Sequence, residues 1–181
     1  MNTSSATPFA RWPDVPACYD WLSLDRRGGW RLQGEPVTHA GLLRFLNDNY
    51  TSDDAGNWLV HNGPQRVYVT LDYTPWVLRL QPDGNLVAHT GAAAGAVDAV
   101  HLDDEGNVLL HTALGIGLLD DRDLQAFLAA CVGGDGAPVD DDGWVALMAG
   151  EGKAFWCGLP LALIARDEVP ARYGFRARPA P

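Results

Sequence analysis

Lysine occurs once in this 181-residue chain, as Lys153, and every other fixed cation is arginine. Schiff-base chemistry therefore has a single candidate amine, and the arginines suit bidentate recognition of carboxylate or phosphate. Serine is nearly as scarce: Ser4, Ser5, Ser23 and Ser52. None sits in a G-x-S-x-G elbow, which excludes a serine hydrolase of that kind. Cysteine stands at Cys18, Cys131 and Cys157. An odd number of distant cysteines makes no disulfide framework, and no C-x-x-C pair offers zinc or redox chemistry. Cys157, flanked by apolar residues in "FWCGLP", reads as a buried structural thiol.

Positive charge is short as well, with 13 Lys plus Arg against 23 Asp plus Glu and a net charge of −10. Such a chain repels phosphate backbones and anionic surfaces, so neither nucleic acid nor membrane is an expected partner. No apolar run approaches the length of a membrane span. The first residues, "MNTSSATPFARWPDVP", lack the basic and apolar segments of a signal peptide, and a reducing cytoplasm is the expected compartment. Phosphate loop, dinucleotide fingerprint and H-E-x-x-H are missing, and "LGIGLLDD" has only two glycines. "VDDDGW" begins like a calcium loop, but Trp144 and Val145 stand where a ligand and a glycine belong. No cofactor, no metal-ligand set and no catalytic residue is expected.

What the chain does contain is turns. "LDRRGGW", "SDDAGNW", "QPDGNL", "LDDEGNV" and "DDDGWV" each place Asp or Pro before Gly and an apolar residue after it. Asp or Pro opens a type I turn, and Gly takes the left-handed position of a three-residue hairpin with a bulge. Three stretches have helical spacing instead. Val15, Cys18, Tyr19 and Leu22 sit at i, i+3, i+4, i+7. Thr38 can cap a helix facing inward with Leu42, Phe45, Leu46 and Tyr50. Asp120 can cap another, carrying Leu124, Phe127, Leu128 and Cys131 and stopped by Gly133 and Gly134.

An internal repeat follows from these elements. Leu24-Asp25-x-x-Gly28 with Leu32 matches Leu102-Asp103-x-x-Gly106 with Leu110 at a shift of 78 positions. Each copy continues into a helix, an Asp-rich hairpin before Trp58 or Trp144, and further strands. The expected fold is α+β and β-rich, two tandem ββαβββ-type motifs with mostly antiparallel strands. The expected segments are a tail and short helix over 1–19, repeats over 20–92 and 93–175, and a loose tail over 176–181. "RVYVTLD" and "WVLRL" close the first repeat, and "TGAAAGA" is the join. The expected core comprises Leu22, Leu24, Trp30, Leu42, Leu46, Val67, Val69, Leu124, Leu128, Phe155 and Leu163.

"GNWLVHNG", "GNLVAHTG" and "GNVLLHTA" each read Gly-Asn, three mostly apolar residues, then His. The three copies do not occupy equivalent places in the two repeats. In an antiparallel meander such strands lie roughly 9–10 Å apart, too far for three histidines to share a metal ion. His61, His89 and His111 therefore read as strand residues that follow one turn type. The stretch "GPQRVYVTLDYTPWVLRL" carries more. Arg66, Tyr68 and Thr70 alternate onto one face. With Trp58, His61, Asp72, Tyr73 and Trp76, Arg66 and Tyr68 give a polar-aromatic surface suited to an anionic or planar ligand. The same residues also suit a plain solvent face with cross-strand aromatic pairs. Arg166, Asp167, Glu168 and Arg172 read as an ion-pair patch.

"LDRRGGWRLQGEPVTHAGLLRFL", followed by "GNWLV" and "VYVTLDYTPW", resembles the bacterial domain-of-unknown-function family 1285. Trp30, Gly34, Pro36 and Val37 match its Gly-aromatic hairpin and G-x-P-I segment, and Asp72, Pro75 and Trp76 match its acidic-x-x-Pro-aromatic element. The match covers residues 20–80 by motif; the second half departs from the family's wording, as a sister family would. The resemblance implies two α+β motifs, no established activity, a regulatory or signalling role and no site residues to transfer. The leading functional expectation is a non-enzymatic module that binds a small molecule or a protein partner, with the cleft between lobes as default site. The alternatives are a metal-dependent or His/Asp-based hydrolase, and a homo-oligomeric structural protein joined through sheet edges. The oligomeric state stays open.

Overall fold

The computed structural model describes residues 12–181; most of the tail expected within residues 1–19 lies outside them. The chain divides into two compact units, one of described residues 12–25, 29–72 and 176–181, the other of residues 26–28 and 73–175. These boundaries differ from the expected 20–92 and 93–175, because residues 73–92 belong with the second unit.

The first unit contains β1 (Ala17–Leu24), β2 (Trp30–Leu32), β3 (Glu35–Pro36), α1 (Ala40–Asp48), β4 (Tyr50–Ser52), β5 (Trp58–Asn62) and β6 (Gln65–Leu71). The sheet runs β3-β2-β1-β6-β5-β4, with β1 and β6 parallel. The short helix expected around Val15–Leu22 is strand β1. Cys18 and Leu22 are an even number of residues apart, so strand alternation and helical spacing both put them on one side. Asp20, at φ 60°, sits in the irregularity where Cys18 pairs with Val67 and Leu22 with Val69.

Helix α1 forms as expected but is capped by His39 rather than Thr38, its Nδ1 accepting from the Gly41 and Leu42 amides. Leu42 and Leu46 are buried, and at the far end Asn49 donates from backbone and side chain to the Phe45 carbonyl. Trp30 donates its indole N–H to Asn47 of α1 at 2.8 Å, and Tyr50 bridges the rings of Trp30 and Trp58.

The second unit contains β7 (Trp76–Leu80), β8 (Leu86–Ala88), β9 (Val97–Asp103), β10 (Val108–Thr112), β11 (Gly115–Leu119), α2 (Leu124–Ala129), β12 (Cys131–Gly133), α3 (Asp141–Met148), β13 (Ala154–Trp156), β14 (Leu159–Ile164) and α4 (Val169–Tyr173). Short 3-10 turns at Asp121–Asp123 and Arg166–Glu168 lead into α2 and α4. The sheet runs β12-β13-β14-β9-β10-β11-β7-β8. Its first six strands, read from β11 to β12, follow the order of the first sheet, and the parallel β9–β14 pair takes the place of β1–β6. The hairpins agree at the shift of 78 seen in the sequence: Leu24 faces Trp30, and Leu102 faces Val108. The fold is α+β and β-rich.

Three expectations fail in this unit. "WVLRL" does not close the first sheet; as β7 it pairs parallel with β11. "DDDGWV" is not a hairpin but the start of α3, where Asp140 accepts from the Gly143 amide and Asp141 and Asp142 lie in the first turn. Carboxylates at a helix N-terminus satisfy free amides and oppose the dipole. The expected core of this unit also holds only in part, on helix α2 and on strands β13 and β14 alike. Phe127 is fully buried while Leu124, Leu128 and Phe155 are half-buried, and Leu163 is 44% exposed. On β13 the alternation places Ala154 and Trp156 inward and Phe155 between them.

The hairpin turns hold elsewhere. In Asp53–Asn57 and Asp103–Asn107 the first amide donates to the last carbonyl, while the aspartate accepts from the Asn amide. Gly56 and Gly106 take φ 81° and 82°. Among the described residues no helix is long and apolar enough to cross a membrane.

Candidate functional site

The seven residues singled out in the sequence fall in several places. His61 and Arg66 face each other across β5 and β6, both exposed. Tyr68, two residues along the same face, is buried and stacks on Tyr19 with ring centroids 4.5 Å apart and planes 4° apart. Burial, then the neighbouring Tyr68, raises the Tyr19 phenol pKa. Tyr19 was missed because its stretch read as a helix. Trp58 alternates onto the opposite face, against Tyr50, where α1 lies. Asp72 is exposed, and its amide donates to the Leu24 carbonyl.

Tyr73 and Trp76 belong to the second unit and are buried there. The Tyr73 phenol donates to Asp103 at 2.7 Å. Burial, then that bond, pushes its pKa far up. The guanidinium of Arg166 lies 4.7 Å and that of Arg26 5.7 Å from the Tyr73 ring centre. The Trp76 indole donates to the Leu114 carbonyl and its ring meets His89. His61, His89 and His111 do not gather. His89 accepts from the Val77 amide and His111 pairs with Asp98 at 2.6 Å. Among the described residues no group of three His, Cys, Asp or Glu is placed to hold a metal ion.

A cavity of about 330 Å³ opens elsewhere in the second unit. Its apolar lining is Val108, Leu118, Leu119 and Leu124, and its polar lining includes Arg26, Arg27, Asn107 and Asp121. Arg26 donates to Asn107 at 2.5 Å. Arg27 grips Asp121 through two bonds of 2.9 and 2.8 Å and holds that carboxylate below its ordinary pKa. Both Arg27 and Asp121 are largely open to solvent, so this pair is weakly held and open to exchange. Neither arginine stood out in the sequence, because "LDRRGG" read as turn chemistry alone. The signal that could have found them is the repeat: the equivalent turn, "LDDEG", carries acids at the same positions.

The outer side of β9 and β10 carries a second polar group. His101 is buried and its Nε2 is hydrogen-bonded to the Tyr173 hydroxyl. The Tyr173 ring stacks on His111, centroids 5.0 Å apart. Burial, then the charge of Arg172, lowers the His101 pKa. Cys157 is exposed, not buried, because it occupies the tip of the β13–β14 hairpin.

One solved structure shares the fold, and a second is more distantly similar. A DUF1285 family protein from Silicibacter pomeroyi DSS-3 matches with a TM-score of 0.52 at 16% identity, over 84% of each chain. Another from Shewanella baltica OS155 has a TM-score of 0.46 at 19% identity, over 60% of this chain and 90% of that one. No curated protein matches the sequence. The family model DUF2944, described as "Protein of unknown function (DUF2946)", matches residues 1–180, and the chain belongs to that family.

Proposed function

We propose that the protein is a non-enzymatic binding module whose ligand is a small molecule with an apolar body and an anionic group. The observation that carries this reading is the convergence of two guanidinium-bearing side chains, Arg26 and Arg27, with four aliphatic ones in a single 330 Å³ cavity. The aliphatic lining takes the body of the ligand, and arginine suits carboxylate or phosphate. An incoming anion competes with Asp121 for Arg27, an exposed pair that solvent screens and that exchanges readily. The shared strand order of the two sheets supports an internal repeat, with arginines in the turn of the first copy and acids in that of the second. A regulatory role accords with such a module.

The test is a thermal-shift screen with aliphatic and aromatic carboxylates and phosphate esters. A ligand at a hundred times its Kd adds about 2.7 kcal/mol to the unfolding free energy, so the melting point rises. Arg27→Ala should lose that rise while keeping its own melting point close to the parent's. If no compound shifts the protein, or Arg27→Ala responds like the parent, the reading falls.

One observation favours a second reading, a His/Asp-based hydrolase: Asp98 orients His111 beside Tyr173 and His101. A carboxylate on one ring nitrogen leaves the other to act as a base. Turnover of p-nitrophenyl esters or phosphates, abolished in His111→Ala, would support it; equal rates in the two proteins would end it.

A further inference from the structure

Among the described residues, four large apolar side chains are notably exposed: Val15 at 43%, Val145 at 69%, Met148 at 43% and Leu163 at 44%. Three of them belong to one neighbourhood. Val145 and Met148 are one turn apart on α3, and Met148 and Leu163 line the same cavity of about 330 Å³. Leu102 and Ile164 extend its apolar wall. The charged residues lining it are all acids, Asp103, Asp104 and Glu168. Asp103 is buried and spoken for by Tyr73 and Asn107. Asp104 and Glu168 are exposed, and Asp104 accepts the Arg166 amide.

We infer that this groove is a docking surface for a segment of a partner protein that is both apolar and basic. The charge pattern selects the occupant. A second copy of this chain would bring its own Asp104 and Glu168 against these, and like charges facing across an interface cost binding energy. An anionic lipid surface is repelled for the same reason. An amphipathic helix with leucines at i, i+3, i+4 and i+7 and lysines beside them satisfies both the apolar wall and the acidic rim. Met148 suits such a surface, since its unbranched, polarisable side chain adapts to different partners.

The sequence supplies its own probe, because Met148 is one of only two methionines, the other being Met1. In protein labelled with ¹³C-methyl methionine, a synthetic leucine/lysine helix of about five turns should shift the Met148 signal saturably at about 0.15 M salt. A leucine/glutamate helix of the same pattern should leave it unmoved. Leu163→Gln changes an exposed position without adding charge and should keep the parent's melting point while weakening the lysine peptide at least tenfold. The proposal is overturned if the lysine peptide leaves Met148 unmoved, if the glutamate peptide shifts it equally, or if Leu163→Gln binds as well as the parent. A Met148 signal that moves on dilution alongside a dimer in sedimentation would also overturn it, making the face a contact between copies.

Discussion

Tyr73 and Asp103 form a buried pair: the phenol donates to the carboxylate at 2.7 Å, with Asp103 0% and Tyr73 5% exposed. The same carboxylate accepts from the Glu105 and Asn107 amides and from the Asn107 side chain, so it organises the β9–β10 turn while holding Tyr73. Removing either partner has unequal consequences. Tyr73→Phe leaves Asp103 with its turn donors and should cost about 1–2 kcal/mol. Asp103→Ala strands the phenol and the turn amides together and should cost about 3 kcal/mol or more. Urea midpoints at unchanged slope measure both, and equal losses would show that the turn bonds contribute nothing.

Asp120 contributes to the stability that the fold loses in acid. Burial raises its carboxyl pKa, but the Arg122 fork, the Arg122 amide and the nearby charges of Arg122 and Arg79 outweigh this and leave it below normal. The unfolded carboxyl takes its proton near pH 3.9, so this stabilisation is complete above about pH 4 and disappears as pH falls through the lower native value. Arg122→Ala should bring the loss of stability to a higher pH. Urea unfolding from neutral to strongly acid solution reads the shift, and an unchanged acid limb would remove Asp120 from the account.

His101 acts in a higher window. Its native pKa is lowered by burial first and by Arg172 second. The unfolded imidazole gains a proton near pH 6.5 while the native one resists it, so stability is full above about 6.5 and falls as pH decreases through the native value. In His101→Gln that part of the slope should vanish, up to about 1.4 kcal/mol per pH unit. A variant with the parent's slope between neutrality and mild acid would assign the titration to another group.

The three thiols should separate by reactivity. Cys18 and Cys131 are buried; burial, aided by Cys157, pushes the Cys131 thiol up to about 12. Cys157 is exposed and should alone react with a thiol reagent in native protein, all three reacting in denaturant. Cys157 and Gly158 have φ 49° and 80°, the signs of a type I′ turn, where Asn-Gly is the favoured pair. Cys157→Asn should therefore raise stability by a few tenths of a kcal/mol, up to about 1. Labelling of a second thiol in native protein would contradict the burial described.

Two glycines distinguish backbone strain from crowding. Gly28 has φ 77°, and a Cβ there would lie 2.4 Å from that of His89; Gly34 has φ 85° and nothing within 4 Å. Gly34→Ala should cost about 1 kcal/mol for the left-handed backbone alone. Gly28→Ala adds overpacking of about 1–3 kcal/mol. Melting curves of the two variants give the difference, and equal losses would mean that His89 moves aside freely.

The hairpin turns were legible in the sequence because they are held by neighbours: an aspartate bonds the amide four residues on, and a glycine supplies the positive φ. The core of the first unit was legible for a related reason. Leu22, Leu24, Trp30, Leu42, Leu46, Val67 and Val69 are all buried, and α1 shows the spacing of a helix with one apolar side. The second unit misled where a local signal has two meanings. "DDDGW" serves a turn or a helix start equally, and only α3 shows which.

Of the surface predicted from sequence, His61 and Arg66 do face each other, since strand alternation and register follow from one hairpin. Tyr73 and Trp76 went elsewhere because no local rule says which sheet a strand joins. The parallel pairs β1–β6, β9–β14 and β11–β7 join segments far apart in the chain, and nothing near either strand encodes the partner. The residues themselves decided the bends, the helix faces and the acidic charge, because those depend on side chains a few positions apart. Tertiary structure alone decided that Arg26 and Arg27 meet Asn107 and Asp121, because burial of distant apolar faces sets which turns end up together.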